Sequence, residues 1–168
     1  MREINNNSQQ SAESLSNELL ELCNSESLST EGLRELIARY GVTPNNHPVS
    51  DYNFFHQACA NKRINEEIVK YLLEYFPAAA YDADDYGRMP LHKACWNKNV
   101  MLSITQLLIN AAPDSVRRVD NNGWMPLHTL CGKRILDEAA AMQILKLLIE
   151  YCPEAIRHAN NSGCFQFT

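Results

Sequence analysis

Apolar residues recur at helical spacing in short segments, separated by polar turns that contain glycine and proline. In Leu15–Cys23, the leucines at 15, 19 and 22 lie three or four positions apart, which places them on one helix face. A second helix is expected from a cap at Ser29 or Thr30 to about Tyr40, and Asn65 is expected to cap another that ends before Pro77. The remaining helices are predicted over 54–60, 90–96, 100–111, 126–131 and 138–151. No segment alternates with a period of two, so the pattern predicts four helix pairs and no real sheet.

The chain repeats itself. Gly87–Cys95 returns 36 residues later as Gly123–Cys131, and six of the nine positions are identical. Four cysteines keep the same interval of 36 residues, at Cys23, Cys59, Cys95 and Cys131. A period of this length is typical of a repeat array. The predicted units are 15–50, 51–86, 87–122 and 123–162, with the start of a truncated further repeat over 163–168. The Asn-, Ser- and Gln-rich stretch 1–14 is predicted to be a disordered arm.

Turn and helix-start residues recur in the same register. Proline stands at the first predicted helical position, where no amide donor is needed, at Pro90 and Pro126. Glycines suited to a positive φ stand at Gly87, Gly123 and Gly163, and each follows by three residues a turn-forming side chain, at Asp84, Asp120 and Asn160. These positions predict one projecting turn per unit.

A helical unit that opens with Gly-x-x-Pro-Leu-His, as at Gly87 and Gly123, resembles the ankyrin repeat. The resemblance covers roughly residues 18–168. It departs from the family where Met89 and Met125 replace threonine and where the period is 36, which suggests a long-loop variant. The resemblance implies an all-α ankyrin-type solenoid of stacked antiparallel helix pairs with projecting loops. It further implies a non-enzymatic module that binds an unidentified protein through turn tips and inner helices.

Composition narrows the function classes. The net charge of −5 gives no basic footprint for nucleic acid, and no run of about 18 apolar residues predicts a membrane span. Equivalent points on stacked helices lie about 8–10 Å apart, whereas a disulfide needs Cα atoms closer than about 7 Å. The cysteine column therefore predicts buried thiols in a reducing, intracellular compartment, either cytoplasmic or nuclear.

Each of three histidines is followed three residues later by a cysteine. Such a pair suggests either a metal or catalytic site or a purely structural role. The pairs are His56/Cys59, His92/Cys95 and His128/Cys131. A zinc site needs four ligands and each unit offers two, so no metal or cofactor is expected. A Cys–His hydrolase stays open as a remote alternative. We favour the architectural interpretation, in which each histidine bonds to loop backbone and each cysteine packs in the core. The acidic residues Asp82, Asp84 and Asp85 lack the spacing of a calcium loop and predict a solvated turn.

Residues that vary between units while their neighbours stay fixed are candidates for partner contact. Two of these variable residues are large aromatics, Trp96 and Trp124. Each is either an incidental packing residue or an anchor of a binding patch. The predicted partner-binding set is Tyr86, Arg88, Trp96, Asn97, Asn122, Trp124 and Lys133. An alternative is that the chain is a fragment or regulatory part of a larger ankyrin-repeat protein. Self-association through the C-terminal end is also expected. Array ends normally carry a polar outer face, whereas the last full helix carries Leu147, Leu148 and Ile149 with only a short tail to cover them.

Overall fold

The computed structural model describes residues 3–44, 49, 51–99, 101–132 and 138–161. This part of the chain contains eight α-helices and no strand. The helices are α1 (Glu3–Asn24), α2 (Thr30–Arg39), α3 (Asn53–Ala60), α4 (Glu66–Tyr75), α5 (Pro90–Trp96), α6 (Leu102–Ala111), α7 (Pro126–Cys131) and α8 (Glu138–Tyr151). The all-helical repeat fold predicted from the sequence is confirmed.

Two layers of helices form the stack. The first helix of each unit packs on the next, in the order α1, α3, α5, α7, and the second helices follow in the order α2, α4, α6, α8. We call these the inner and outer layers. Each unit therefore buries its apolar face mainly against its neighbours, as in other linear repeat arrays.

The core runs through the stack in columns spaced by the repeat. The columns Ile68/Ile104/Ile144 and Leu72/Leu108/Leu148 are buried. The outer helices that carry them pack in sequence, α4 on α6 and α6 on α8, so the repeated sequence produces repeated packing.

Helix starts follow the local signals in the sequence. The Ser29 hydroxyl accepts a hydrogen bond from the Gly32 amide at 3.2 Å, and the Asn65 side chain accepts one from the Ile68 amide at 2.9 Å. Each satisfies one of the amides that the first helical turn leaves unpaired. Pro90 and Pro126 occupy first positions, as predicted.

The prolines after the outer helices end the α-helix, as predicted for Pro77, and each begins a 3₁₀ turn. These turns are Pro77–Tyr81, Pro113–Arg117 and Pro153–Arg157. Pro77 has no amide hydrogen to continue the α-helical ladder, yet its fixed φ suits a 3₁₀ conformation. The turn closes through the Ala79 amide, which donates to the Phe76 carbonyl at 3.0 Å. Its buried face, Ala79 and Ala80, extends the core beyond the helix.

The first helix differs from the predicted disordered arm over 1–14. Helix α1 begins at Glu3 and has 22 residues, so residues 3–14 are helical. Leu15 and Leu19 are buried against the stack and anchor its C-terminal half. Extending an existing helix fixes one residue per hydrogen bond gained, which is far less costly than nucleating a new one.

In the described ranges, no helix is long and apolar enough to cross a membrane.

Candidate functional site

The projecting turns are built by an aspartate and a glycine three residues apart. Gly87 has φ +71° and Gly123 φ +80°, both in the left-handed region that favours glycine. The Gly87 amide donates to the Asp84 carbonyl at 2.8 Å, and the Asp84 side chain accepts from the Arg88 amide at 2.9 Å. The predicted turn chemistry at Gly87 and Gly123 is therefore present, whereas Gly163 lies outside the described residues.

Successive turn tips are joined by asparagine side chains. The Asn121 amide donates to the Tyr86 carbonyl at 2.9 Å, and its side chain donates to the Asp85 carbonyl at 3.2 Å. Asn161 repeats this one unit later, with bonds of 3.0 Å to the carbonyls of Asn122 and Asn121. The tips therefore form a hydrogen-bonded ladder that fixes their spacing.

The histidines of α3, α5 and α7 each bond to the turn of the next unit. For His56 the partner is the Arg88 carbonyl, 3.0 Å from Nε2. His92 Nδ1 accepts from the Met89 amide at 3.1 Å, so the ring proton lies on Nε2, which donates to the Trp124 carbonyl at 2.9 Å. His128 makes the same pair of bonds with Met125 and His158. Every ring nitrogen of these two histidines is thus used by backbone, as the architectural interpretation predicts.

The His–Cys pairs lack the features of a nucleophilic site. Burial raises the pKa of the Cys23 thiol to about 12 and raises the pKa of Cys59 and Cys95 further. A thiol reacts as its thiolate, which burial in apolar surroundings disfavours. Burial also lowers the pKa of His92, to about 4. All five cysteines in the described ranges are free, and no group of three potential ligands there could hold a metal ion.

Asn97, predicted to contact a partner, is instead an architectural residue. It is 6% exposed, and its side-chain amide donates to the carbonyls of Cys59 at 3.0 Å and Asn61 at 2.7 Å. Asn61 does the same toward the first unit, reaching the Cys23 carbonyl at 2.9 Å. The 36-residue interval between Asn61 and Asn97 is the sequence signal for this role, although the third copy of the position is Lys133.

The Trp124 side chain lies against Gly132, the position that corresponds to Trp96 one unit later. Trp96 is 52% exposed at the C-terminal end of α5. Its equivalent in the next unit is Gly132, where a Cβ would lie 2.8 Å from Trp124 Cζ3. The partly buried indole of Trp124 therefore covers the place that a side chain at 132 would take. Helices α5 and α7 pack together, and Trp124 lies in the turn just before α7.

The turn tip of the third unit adds an exposed tyrosine beside a charged network. Tyr86 is 61% exposed, and the Arg88 guanidinium lies 4.5 Å from its ring centre. Arg88 also pairs with Asp84 at 2.9 Å, and Lys93 of α5 lies 3.2 Å from the same carboxylate. Burial opposes ionisation of Asp84, but hydrogen bonds from Arg88 and Lys93 outweigh it and lower its pKa to about 2. Both cations are therefore held by a partner within the chain.

A cleft of about 230 Å³ opens between this turn and the inner helices. It lies between α3 and α5 and is bordered by the aromatic ring of Tyr86. Its charged lining consists of Asp51, Asp82, Asp84, Asp85, Arg88 and Lys93. Of the remaining predicted contacts, Asn122 is exposed at the next tip, and Lys133 lies outside the described residues.

The model of the family described as ankyrin repeats, in three copies, matches residues 19–114, which is more than half of the chain. The protein belongs to the ankyrin repeat family. The ankyrin turn, helix pair and inter-unit histidine bond continue beyond the match into the fourth unit, through His128 and Asn161. A search among curated proteins found no similar sequence.

Ankyrin repeats are generally protein–protein interaction modules and are typically non-enzymatic. In this ankyrin array, Tyr86 at the turn and Trp96 at the end of α5 are large exposed aromatics, and the tip ladder and histidine bonds support the backbone beneath them.

Proposed function

We propose that this ankyrin array is a non-enzymatic interaction module that binds a protein partner on the inner-layer surface around one turn. The contact residues are Tyr86, Arg88, Trp96, Asn122 and Trp124. Asn97 is left out because its side chain is buried and bonded to backbone. Lys133 stays a sequence prediction, as does the alternative that the array is part of a larger ankyrin-repeat protein.

The placement of the two tryptophans carries this proposal. Trp96 leaves half of its surface exposed on α5, and the Trp124 side chain, from the turn before α7, packs against Gly132 at the end of that helix. Aromatic side chains of this kind are the usual anchors of protein interfaces, because they bury a large area with few rotatable bonds. The backbone beneath them is fixed by the histidine and asparagine bonds, so little ordering is needed on binding.

The test is affinity capture from cell lysate with wild type and Trp96→Ala compared side by side. Truncating a true anchor costs about 2 kcal/mol or more, which weakens binding by roughly 30-fold. Because Trp96 is half exposed, the variant is expected to fold, and thermal melting checks this. Met142→Ala is the matched control, since Met142 is 51% exposed on outer helix α8. Capture that is unchanged by Trp96→Ala in a folded variant rejects the proposed surface.

Self-association through the C-terminal end also stays a prediction. It rests on residues 147–168, of which 162–168 lie outside the described ranges. Sedimentation over a range of protein concentrations measures it directly.

A further inference from the structure

The cleft beside Tyr86 has an excess of negative charge that internal pairing does not remove. Four carboxylates line it against two cations, and both cations, Arg88 and Lys93, contact Asp84. In the part of the chain that the structure describes, Asp51, Asp82 and Asp85 make no ion pair. Three carboxylates in this cleft are therefore available to a ligand, while its cations are already engaged.

The exposed aromatic side chains of Tyr86 and Trp96 lie beside this acidic cleft. Lys93 and Trp96 lie three residues apart on α5, so they share one helix face, and Lys93 lines the cleft. Tyr86 borders the cleft and already holds a guanidinium against its ring, that of Arg88, at 4.5 Å. The negative face of an aromatic ring attracts cations, and tryptophan does so most strongly. The surface therefore offers a cation two kinds of favourable contact, carboxylates and aromatic rings.

We propose that this aromatic and acidic surface binds an extended segment of the protein partner that carries arginine or lysine beside an apolar residue. The basic side chain enters the cleft among Asp51, Asp82 and Asp85, and the apolar residue packs on Trp96. This inference rests on the proposed function and names the chemistry of its partner.

Charge complementarity decides between this partner and others. An acidic or phosphorylated segment would meet three unpaired carboxylates and would have to displace Arg88 and Lys93 from Asp84. The net charge of −5 repels such a ligand at longer range as well. A basic segment is attracted at both ranges, and the effect on binding is expected to weaken with salt.

The test is a selection from a phage-displayed library of random peptides on the wild-type protein. Enriched peptides are resynthesised, and their affinity is measured against wild type, Trp96→Ala and the double variant Asp82→Asn/Asp85→Asn. The matched control is Asp114→Asn/Glu150→Gln, which makes the same change of charge at two exposed residues away from the cleft.

The enriched peptides are expected to carry arginine or lysine next to an apolar residue. Affinity should fall roughly 30-fold with Trp96→Ala and about 5-fold with the double aspartate variant, with no change in the control. It should also fall as the salt concentration rises from about 0.01 M to about 1 M, since the Debye length shrinks from about 30 Å to 3 Å.

Three results would overturn the inference: no enriched peptide, enriched peptides without an excess of basic residues, or equal affinity for wild type and the aspartate variant. Lysate capture that depends on Trp96 together with any of these would leave the proposed function in place and reject only the basic partner. Loss of the Trp96 dependence in both experiments would reject the surface itself.

Discussion

A buried histidine in this chain acts through both ring nitrogens at once. His92 needs an unprotonated Nδ1 to accept the Met89 amide and a protonated Nε2 to donate to the Trp124 carbonyl, so only the neutral ring of one tautomer makes both bonds. A second proton would leave the Met89 amide facing another donor in a buried place. Burial is the largest cause of the lowered pKa values of His56, His92 and His128.

These lowered pKa values predict that acid weakens the fold as the pH falls below the ordinary histidine value. In the unfolded chain His92 becomes protonated as the pH falls below the ordinary histidine pKa of 6.5. In the folded chain it stays neutral until about pH 4, because its pKa is lowered to that value. The free energy of unfolding is therefore highest above pH 6.5 and falls as pH decreases. For His92 alone the loss by about pH 4.5 is on the order of 2–3 kcal/mol. Urea unfolding between about pH 7 and about pH 4.5 measures it.

The control is His92→Asn, which is less stable at neutral pH but has a shallower dependence of unfolding free energy on pH. Asp84 does not affect this comparison. Its pKa is lowered in the folded chain, so its contribution to the free energy of unfolding is lost only as the pH falls below its ordinary pKa of 3.8. A free energy of unfolding that stays constant over this range would contradict the assigned bonds.

The turn is the element that determines how one unit meets the next. Its glycine has two reasons to lack a side chain. At Gly87, φ is +71°, and a Cβ would lie 2.5 Å from Asn121 Oδ1 of the next tip. Gly123 stands in the same relation to Asn161. The ladder between tips thus depends on glycine for space as well as for backbone conformation.

Replacing Gly87 by alanine is expected to destabilise the fold through both causes. The left-handed conformation costs about 1–2 kcal/mol for a residue with a Cβ. Gly41, at the end of α2, has φ +62°, and a Cβ added there would meet no atom within 4 Å, so Gly41→Ala measures that cost alone. We expect Gly87→Ala to lower the free energy of unfolding by about 1 kcal/mol more, because Asn121 must move and its hydrogen bonds weaken. Equal losses in the two variants would show that the ladder contributes nothing.

Elements whose signals are local could be predicted from the sequence, and elements set by tertiary contact could not. Pro90 and Asn65 mark helix starts that the structure confirms, because each acts on backbone within its own turn. The 3₁₀ turn over Pro77–Tyr81 is not predicted, since it contacts α5 and α6 of the next unit, and such contacts are not visible in the local sequence. Trp124 shows the same limit at the candidate site: its sequence position matches Arg88, yet its ring lies over Gly132.

At the scale of the whole molecule, stability depends on how many neighbours a unit has. Outer helix α6 contacts both α4 and α8, whereas α8 has only α6 as an outer-layer neighbour among the described helices. Leu108 and Leu148 occupy one buried column in these two helices. In a linear array, unit stabilities and interfaces between neighbours add approximately, so an end unit can unfold by itself when weakened.

Truncation of these two leucines should therefore have different consequences, although each loss is expected to be about 2–5 kcal/mol. The chain has two tryptophans, one in each of these units, and each can be made the only reporter of its unit. Trp96→Phe leaves Trp124 to report the fourth unit, and Trp124→Phe leaves Trp96 to report the third. In these backgrounds, Leu148→Ala should lower the urea midpoint seen by Trp124 well below that seen by Trp96. Leu108→Ala should lower both midpoints together, because the third unit supports interfaces on either side. The parent single-tryptophan variants supply the reference midpoints. If Leu148→Ala moves the two midpoints equally, the four units unfold as one block and the nearest-neighbour description of this array is wrong.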